Sequence, residues 1–180
     1  MSKKLVLIII GIVLSLVLMF WGVGVSKYNK AIYLEEQLGE SKSSINIQEK
    51  RREDLILNLV DCVENYNKYE QETMAKIVEA RSKAVNGDIV EAQTLISAVA
   101  EQYPELKANE NYKTLMTELA VTENLIAQHR NNYNIQVKAY KKYVRNLINK
   151  TILSWNNYEI LDVDYLEYEA SVDSPKNLFD

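Results

Sequence analysis

The side chains best able to do chemistry are few and scattered. The chain holds one histidine, His129, and one cysteine, Cys62. A metal site needs several donors that converge on one point. No His-rich, Cys-rich or Asp-x-Asp cluster supplies them, so neither a metal nor a cofactor is expected. No glycine-rich phosphate loop, nucleophile elbow or zinc-binding helix appears. His129 falls at a helix-seam spacing, where a histidine packs and hydrogen-bonds rather than acting as a base. Cys62 lies among Leu59, Val60 and Val63. A free thiol in such company is a small buried hydrophobe, and a single cysteine excludes an intramolecular disulfide. The densest charge run is Arg51-Arg52-Glu53-Asp54, which reads first as a solvated helix face with local ion pairs. These residues assemble no catalytic centre, so the chain is not expected to be an enzyme.

The elements that carry these residues are helices. The glycines are Gly11, Gly22, Gly24, Gly39 and Gly87, and the prolines are Pro104 and Pro175. Turns and hairpins draw on exactly those residue types; with breakers so sparse, long helices follow. The net charge of -4 lacks the basic footprint of a nucleic-acid binder, so no nucleic-acid partner is expected.

Leu5 to Val25 carries no charge. As a helix this run is roughly 31 Å long, against a hydrocarbon core of about 30 Å. Phe20-Trp21 and Lys27-Tyr28 provide the aromatic and basic flank of a membrane interface. The competing reading is a cleaved signal peptide, with Gly22 and Gly24 near the cleavage site. The run exceeds a usual signal core and helix-forming sequence follows at once, which favours a retained single-pass anchor in the cell membrane. No cysteine follows the run to allow lipoprotein processing. Lys3 and Lys4 against Lys27 and Lys30 lean slightly toward the N-terminus in the cytoplasm and the domain outside. Gly11 and Ser15 form a small-xxx-small pair that would let two such helices approach.

Beyond the anchor a stripe alternates steps of three and four: Ala31, Leu34, Leu38, Ser41, Ile45, Gln48, Arg52, Leu55, Leu59, Cys62, Tyr66. That is the period of a helix packed along a coiled-coil-like seam. Ile56, Val60 and Val63 widen it, which predicts more neighbours there. Gly39 lies off the stripe and predicts no break. Asn67 with Glu70 reads as a second helix start, or as a kink in a continuing helix. Met74, Ile77, Val78, Ala84 and Val85 form its apolar positions. Asn86-Gly87-Asp88 closes it, with Asp88 and Glu91 spaced as a capping box for the third helix. That helix carries Ala92, Leu95, Ile96 and Val99 and ends before Pro104. Asn109 caps the last long helix, whose stripe is Tyr112, Leu115, Leu119, Thr122, Ile126, His129, Tyr133, Gln136, Tyr140, Tyr143, Leu147. The predicted fold is all-α: a transmembrane helix, then an elongated antiparallel bundle of two long helices and two short ones. Its parts are the anchor over 1–26, the bundle over 27–152 and an acidic, mostly irregular tail over 153–180, with a short extended piece at Leu161, Val163 and Tyr165.

Three stretches resemble the LemA family of bacterial membrane proteins: Arg51-Arg52-Glu53-Asp54-Leu55-Ile56-Leu57-Asn58-Leu59-Val60, then Val78-Glu79-Ala80-Arg81, then Tyr103-Pro104-Glu105-Leu106-Lys107-Ala108-Asn109-Glu110-Asn111-Tyr112. Glu118-Leu119, Thr122-Glu123-Asn124 and Tyr133-Asn134 continue the match. The family usually has proline where Leu57 stands, His-Glu where Tyr69-Glu70 stand, and a Phe-Pro after the last helix that is missing here. The first change implies a straighter first helix, and the second means that no role of that histidine carries over. The resemblance implies a membrane-anchored helical bundle of the cell envelope without an established activity. Family members are often encoded near membrane peptidases and other envelope genes, and some relatives take part in organising internal membranes. The shared charge run Arg51, Arg52, Glu53 and Asp54 gains a second reading as an ion-pair patch that meets a partner. Tyr133, Tyr140 and Tyr143 would add a partner contact near the membrane, because a two-helix section leaves sides open and tyrosine suits half-wet interfaces. The expected partners are the bilayer, other membrane or envelope proteins, and a second copy of the chain. The alternative role is an accessory subunit of a membrane enzyme such as a peptidase or transporter.

Overall fold

The computed structural model describes residues 3–65 and 70–167. Tyr66, Asn67 and Tyr69, and the tail from residue 168, lie outside the described residues. Every regular element among the described residues is helical: α1 (Lys3–Glu64), α2 (Gln71–Val85), α3 (Ile89–Gln102), α4 (Pro104–Ala108), α5 (Glu110–Arg145) and α6 (Leu147–Trp155). α1 runs for 62 residues, through Gly39 and Leu57 without a break. Its N-terminal part holds an 18-residue window of mean hydropathy 2.9, none of it buried, which is long and apolar enough to cross a membrane. The chain divides into two compact units, Lys42–Arg130 and the paired segments Met1–Ser41 with Asn131–Asp180.

The Lys42–Arg130 unit is built on the widened face of α1. Leu55 and Leu59 form one buried row, and Ile56, Val60 and Val63 form the next. Two adjacent rows let one helix bury itself against several others. α2 contributes Ile77, Ala80 and Ala84, α3 contributes Ile96 and Val99, and α5 contributes Tyr112 and Leu119. The α2 face is rotated from the expected one. Thr73 and Ala80 are buried, whereas Val78 and Val85 are exposed. Small Ala80 and Ala84 let the helices come close, which leaves the valines on the outer side. α2 starts at Gln71 with Glu70 at its N-cap position, later than an Asn67 start would place it.

The turn between α2 and α3 follows from Gly87. Its φ of 87° is accessible to glycine at little cost. Gly87 N–H donates to Ala84 O at 3.2 Å and Asp88 N–H to Lys83 O at 2.9 Å, the paired bonds of a Schellman ending. Asp88 takes the N-cap position of α3, but its side chain makes no capping bond. The expected capping box is therefore not formed. Lys83 draws both carboxylates instead, Glu91 at 2.8 Å and Asp88 at 3.8 Å. Pro104 ends α3 and also opens α4 as its first residue, where the missing N–H is harmless. α4 was not expected, and it buries Leu106 in the core. Asn109 then caps α5: its Oδ1 accepts from the N–H groups of Asn111 at 2.9 Å and Tyr112 at 3.2 Å.

In the other unit, Ala31, Leu34, Leu38 and Ser41 are buried on α1, as their spacing predicts. On α5 the buried positions are Tyr133, Val137, Tyr140 and Val144. The predicted stripe placed Gln136 and Tyr143 there, which are half-buried, and Leu147, which is 80% exposed. The stripe advances because a straight helix turns every 3.6 residues and drifts about 20° per heptad from a 3.5 repeat. Leu147 leaves it for a second reason. The last helix is not continuous: Asn146 breaks it, with ψ 131°, and its side chain accepts from Ile148 N and Asn149 N to start α6. Asn149 Nδ2 spans the break by donating to Tyr143 O at 3.0 Å. α6 runs past residue 153, where irregular chain was expected, and buries Leu153. It ends through Asn157, whose φ is 51°. Asn157 N–H reaches Ser154 O and Tyr158 N–H reaches Leu153 O, so asparagine does here what Gly87 does after α2. The segment after it, through residue 167, has no regular element. It is nonetheless pinned to α5. Asn134 accepts from Leu166 N–H at 2.8 Å and donates to Leu166 O at 2.9 Å, and Lys141 pairs with Asp164 at 3.3 Å.

Candidate interaction surfaces

In the Lys42–Arg130 unit, the charge run on α1 divides by direction. Arg51 reaches Glu118 on α5 at 3.5 Å and Arg52 reaches Glu123 at 3.3 Å. Glu49, just before the run, receives Arg130 at 2.8 Å. Glu53 and Asp54 stay on their own helix and share Lys50 at 3.0 and 3.3 Å. Arg52 is the most enclosed of the four, at 21% exposed, and its Nε is buried without a hydrogen-bond partner among the described residues. Arg51 and Asp54 are more than half exposed. So the run joins helices through Arg51 and Arg52, and Arg51 and Asp54 also remain open to solvent.

Arg81 was not singled out as a site residue, yet it forms the tightest polar cluster in this unit. From α2 its Nη2 contacts both Asp61 and Glu64 on α1. These hydrogen bonds hold the guanidinium in its charged form and raise its pKa further. Its spacing from both partners in sequence gave no signal of the contact. Cys62 lies close by on α1, in a shallow depression of about 510 Å³ walled by Asn58, Asn65, Asn109, Asn111, Thr114 and Leu115. Burial pushes its thiol up from the ordinary value, so the thiolate needed for nucleophilic attack is scarcer than usual. His129 is half-buried on α5. Among the described residues no three His, Cys, Asp or Glu side chains converge where a metal ion could sit.

In the other unit three tyrosines, Tyr28, Tyr140 and Tyr158, are connected. Tyr140 is fully buried and Tyr133 is 8% exposed. Tyr140 Oη accepts from Leu161 N–H at 2.9 Å and lies 3.3 Å from Tyr158 Oη. Tyr158 donates to Glu35 Oε2 at 2.7 Å. A phenol has one proton to give, so the order is fixed: Leu161 N–H to Tyr140, Tyr140 to Tyr158, Tyr158 to the Glu35 carboxylate. Such a chain polarises each successive bond. Burial first, then the bonds to Tyr140 and Glu35, hold the Tyr158 phenol far above its ordinary value. The Tyr158 ring also meets Tyr28 edge-on, with centroids 5.7 Å apart. Tyr143 donates to Lys27 O at 3.0 Å. This arrangement fixes the chain after α6 to α1. On the apolar start of α1, Gly11 and Ser15 are both exposed, and a Cβ at Gly11 would meet nothing within 4 Å among the described residues.

The chain is 28% identical over 171 residues to Protein LemA of Metamycoplasma hominis, covering 82% of this chain and 78% of that one. It is also 23% identical over 190 residues to each of Magnetosome protein MamQ 1 and MamQ 2 of Paramagnetospirillum magneticum, covering 83% of this chain and 68% of theirs. The sequence profile of the LemA family matches residues 41–177. That match takes in both arginine clusters, the Asn109 cap and the Asn134 clamp, and with it the chain belongs to the LemA family.

Proposed function

We propose that this protein is a single-pass, membrane-anchored helical scaffold of the bacterial cell envelope that works by binding other proteins and performs no chemistry of its own. The observation that carries the reading is how the reactive side chains are used. Arg51, Arg52, Arg81 and Arg130 tie helices together, and Tyr140 and Tyr158 hold the tail. The anchor is the uncharged start of α1, whose side chains are bare of protein cover. The helices pair antiparallel in each unit: Glu49 and Arg52 meet Arg130 and Glu123 in one, Lys27 and Ser41 meet Tyr143 and Asn132 in the other. Arg51 and Asp54 are the charged residues best placed to meet a partner, and Gly11 with Ser15 gives a second copy a face on which to approach.

A second reading, an accessory subunit of a membrane peptidase or transporter, draws on an apolar exposure. Val78, Val85 and Val90 are 58%, 66% and 72% exposed around the α2–α3 turn. Crosslinking in native membranes followed by mass spectrometry separates the two. A stoichiometric partner enzyme supports the accessory role, and contacts between copies alone support the scaffold. Extraction with alkaline carbonate checks the anchor: the full-length chain is expected to stay with the membrane, and release of a shortened chain would overturn it.

A further inference from the structure

α6 presents an apolar stripe that the described residues leave largely uncovered, with Ile152 half-buried. Ile148 and Trp155 are 66% and 79% exposed, and Leu147 beside them is 80% exposed. Ile148, Ile152 and Trp155 follow each other at the i, i+4, i+7 spacing of one helix face, beside the buried Asn149 and Leu153. This face lines one side of an open apolar groove of about 480 Å³, and the other side is Met19, Phe20, Trp21 and Val23. Those residues are the end of the apolar run. The groove is thus continuous with the surface that the anchor turns toward lipid.

The helices around it carry mostly basic residues, although Asp162 shares a depression with Lys141, Arg145 and Lys150 and Asp164 pairs with Lys141. No acid occurs from residue 124 to 158, while Arg130, Lys138, Lys141, Lys142, Arg145 and Lys150 do. On α1 no acid occurs before Glu35, and Lys27 and Lys30 follow the apolar run. Of these cations, Lys142, Arg145 and Lys150 fall at the end of α5 and on α6, close in sequence to the groove residues. Lys142, Arg145 and Lys150 are exposed. An apolar helix face ending in tryptophan and set among basic residues matches the boundary between acyl chains and anionic headgroups.

We propose that α6 lies in the membrane interface as a second lipid contact, with Ile148, Ile152 and Trp155 among the acyl chains and the neighbouring lysines and Arg145 at anionic phospholipid headgroups. This rests on the reading of the apolar run as a membrane span.

The chain has two tryptophans, Trp21 and Trp155, and each can report alone. Full-length Trp21→Phe and Trp155→Phe proteins would be reconstituted into vesicles of phosphatidylcholine and phosphatidylglycerol. Lipids brominated close to the headgroup quench only tryptophans in contact with them. Loss of Trp155 emission in the Trp21→Phe protein, comparable with the loss of Trp21 emission in the other, is the expected result. Trp21 quenched with Trp155 untouched would overturn the α6 contact and leave the span intact. Neither quenched would overturn both. Trp155 blue-shifted but unquenched, with the shift vanishing as protein is diluted in lipid, would assign the face to a second copy and overturn the lipid contact.

Discussion

The two units of this chain solve the same problem by different means. In Lys42–Arg130, α1, α2, α3, α4 and α5 share one core, and it is mostly aliphatic: Ile56, Leu59, Val60, Ile77, Ile96 and Leu106 are almost wholly buried. In the other unit α1 is joined by part of α5, by α6 and by an irregular segment. There the largest fully buried side chain is Tyr140, and Asn149 and Ser41 are buried with it. The tail is held by hydrogen bonds from Tyr140, Tyr158 and Asn134. The difference teaches where directional bonds matter. Dispersion and hydrophobic burial are nondirectional and grow with the number of neighbours. With few neighbours and no repeating backbone ladder in the tail, the chain must be positioned by specific polar groups.

The largest effect should come from hollowing the aliphatic unit. Leu59→Ala leaves a cavity under several helices and is expected to cost about 2–5 kcal/mol, read as a shift of the denaturant midpoint of the full chain in detergent. Tyr140→Phe keeps the ring and removes only the hydroxyl, leaving Leu161 N–H without its acceptor. A loss of about 1–2 kcal/mol is expected, with tail amides such as Leu161 and Leu166 exchanging hydrogen faster. Equal costs for the two variants, or unchanged exchange in the tail, would erase the contrast between the units.

The contrast also has a pH signature. An unfolded tyrosine titrates near 10.0, and the Tyr158 phenol is raised above that in the folded chain. Below the unfolded value both states hold the proton, and the contribution of the phenol is fully present. As pH rises past it the unfolded state releases its proton while the folded state keeps it, so stability falls. Burial raises Tyr112 and Tyr143 in the same direction. Tyr158→Phe should therefore flatten the loss of stability at alkaline pH without abolishing it, in a series of denaturation curves taken on both sides of that value. An identical slope in the variant would mean that Tyr158 is solvated.

How far the fold could be read depended on residue type. From Ala31 to Val63 most of the stripe on α1 is aliphatic at clear spacing, and its position and widening were legible, although Gln48, Arg52 and Cys62 on it are only half-buried. On α5 the same logic held at Tyr140 but missed Val137 and Val144, because the stripe is shared among tyrosines and valines and drifts along the helix. Leu147 continued the expected spacing and hid the break. Asn146 was the available signal, being a favoured N-cap residue just before an apolar run. Tyr158 carried no local sign, since its partner Glu35 is 123 positions away. The charge run was visible as a run, but the split between Arg51 and Arg52 reaching α5 and Glu53 and Asp54 reaching Lys50 depends on a register that composition does not contain.

The smallest effect on stability should belong to Arg51→Gln, and that makes it the most informative variant for function. Its bond to Glu118 is 3.5 Å long, with both side chains about half exposed. Such pairs contribute roughly 0–1 kcal/mol because water screens the charges and two long side chains must be ordered. Arg52→Gln should cost more: its guanidinium is more enclosed, and Glu123 would lose its partner inside the α1–α5 contact. If Arg51 serves only to join helices, its loss should leave both the denaturant midpoint and the crosslinked complexes in native membranes nearly unchanged. If it meets a partner, the midpoint should still hold while the crosslinked complex is lost. A large drop in the midpoint would show instead that this exposed pair holds α5 against α1, and the division of the charge run into an inner and an outer arginine would have to be given up.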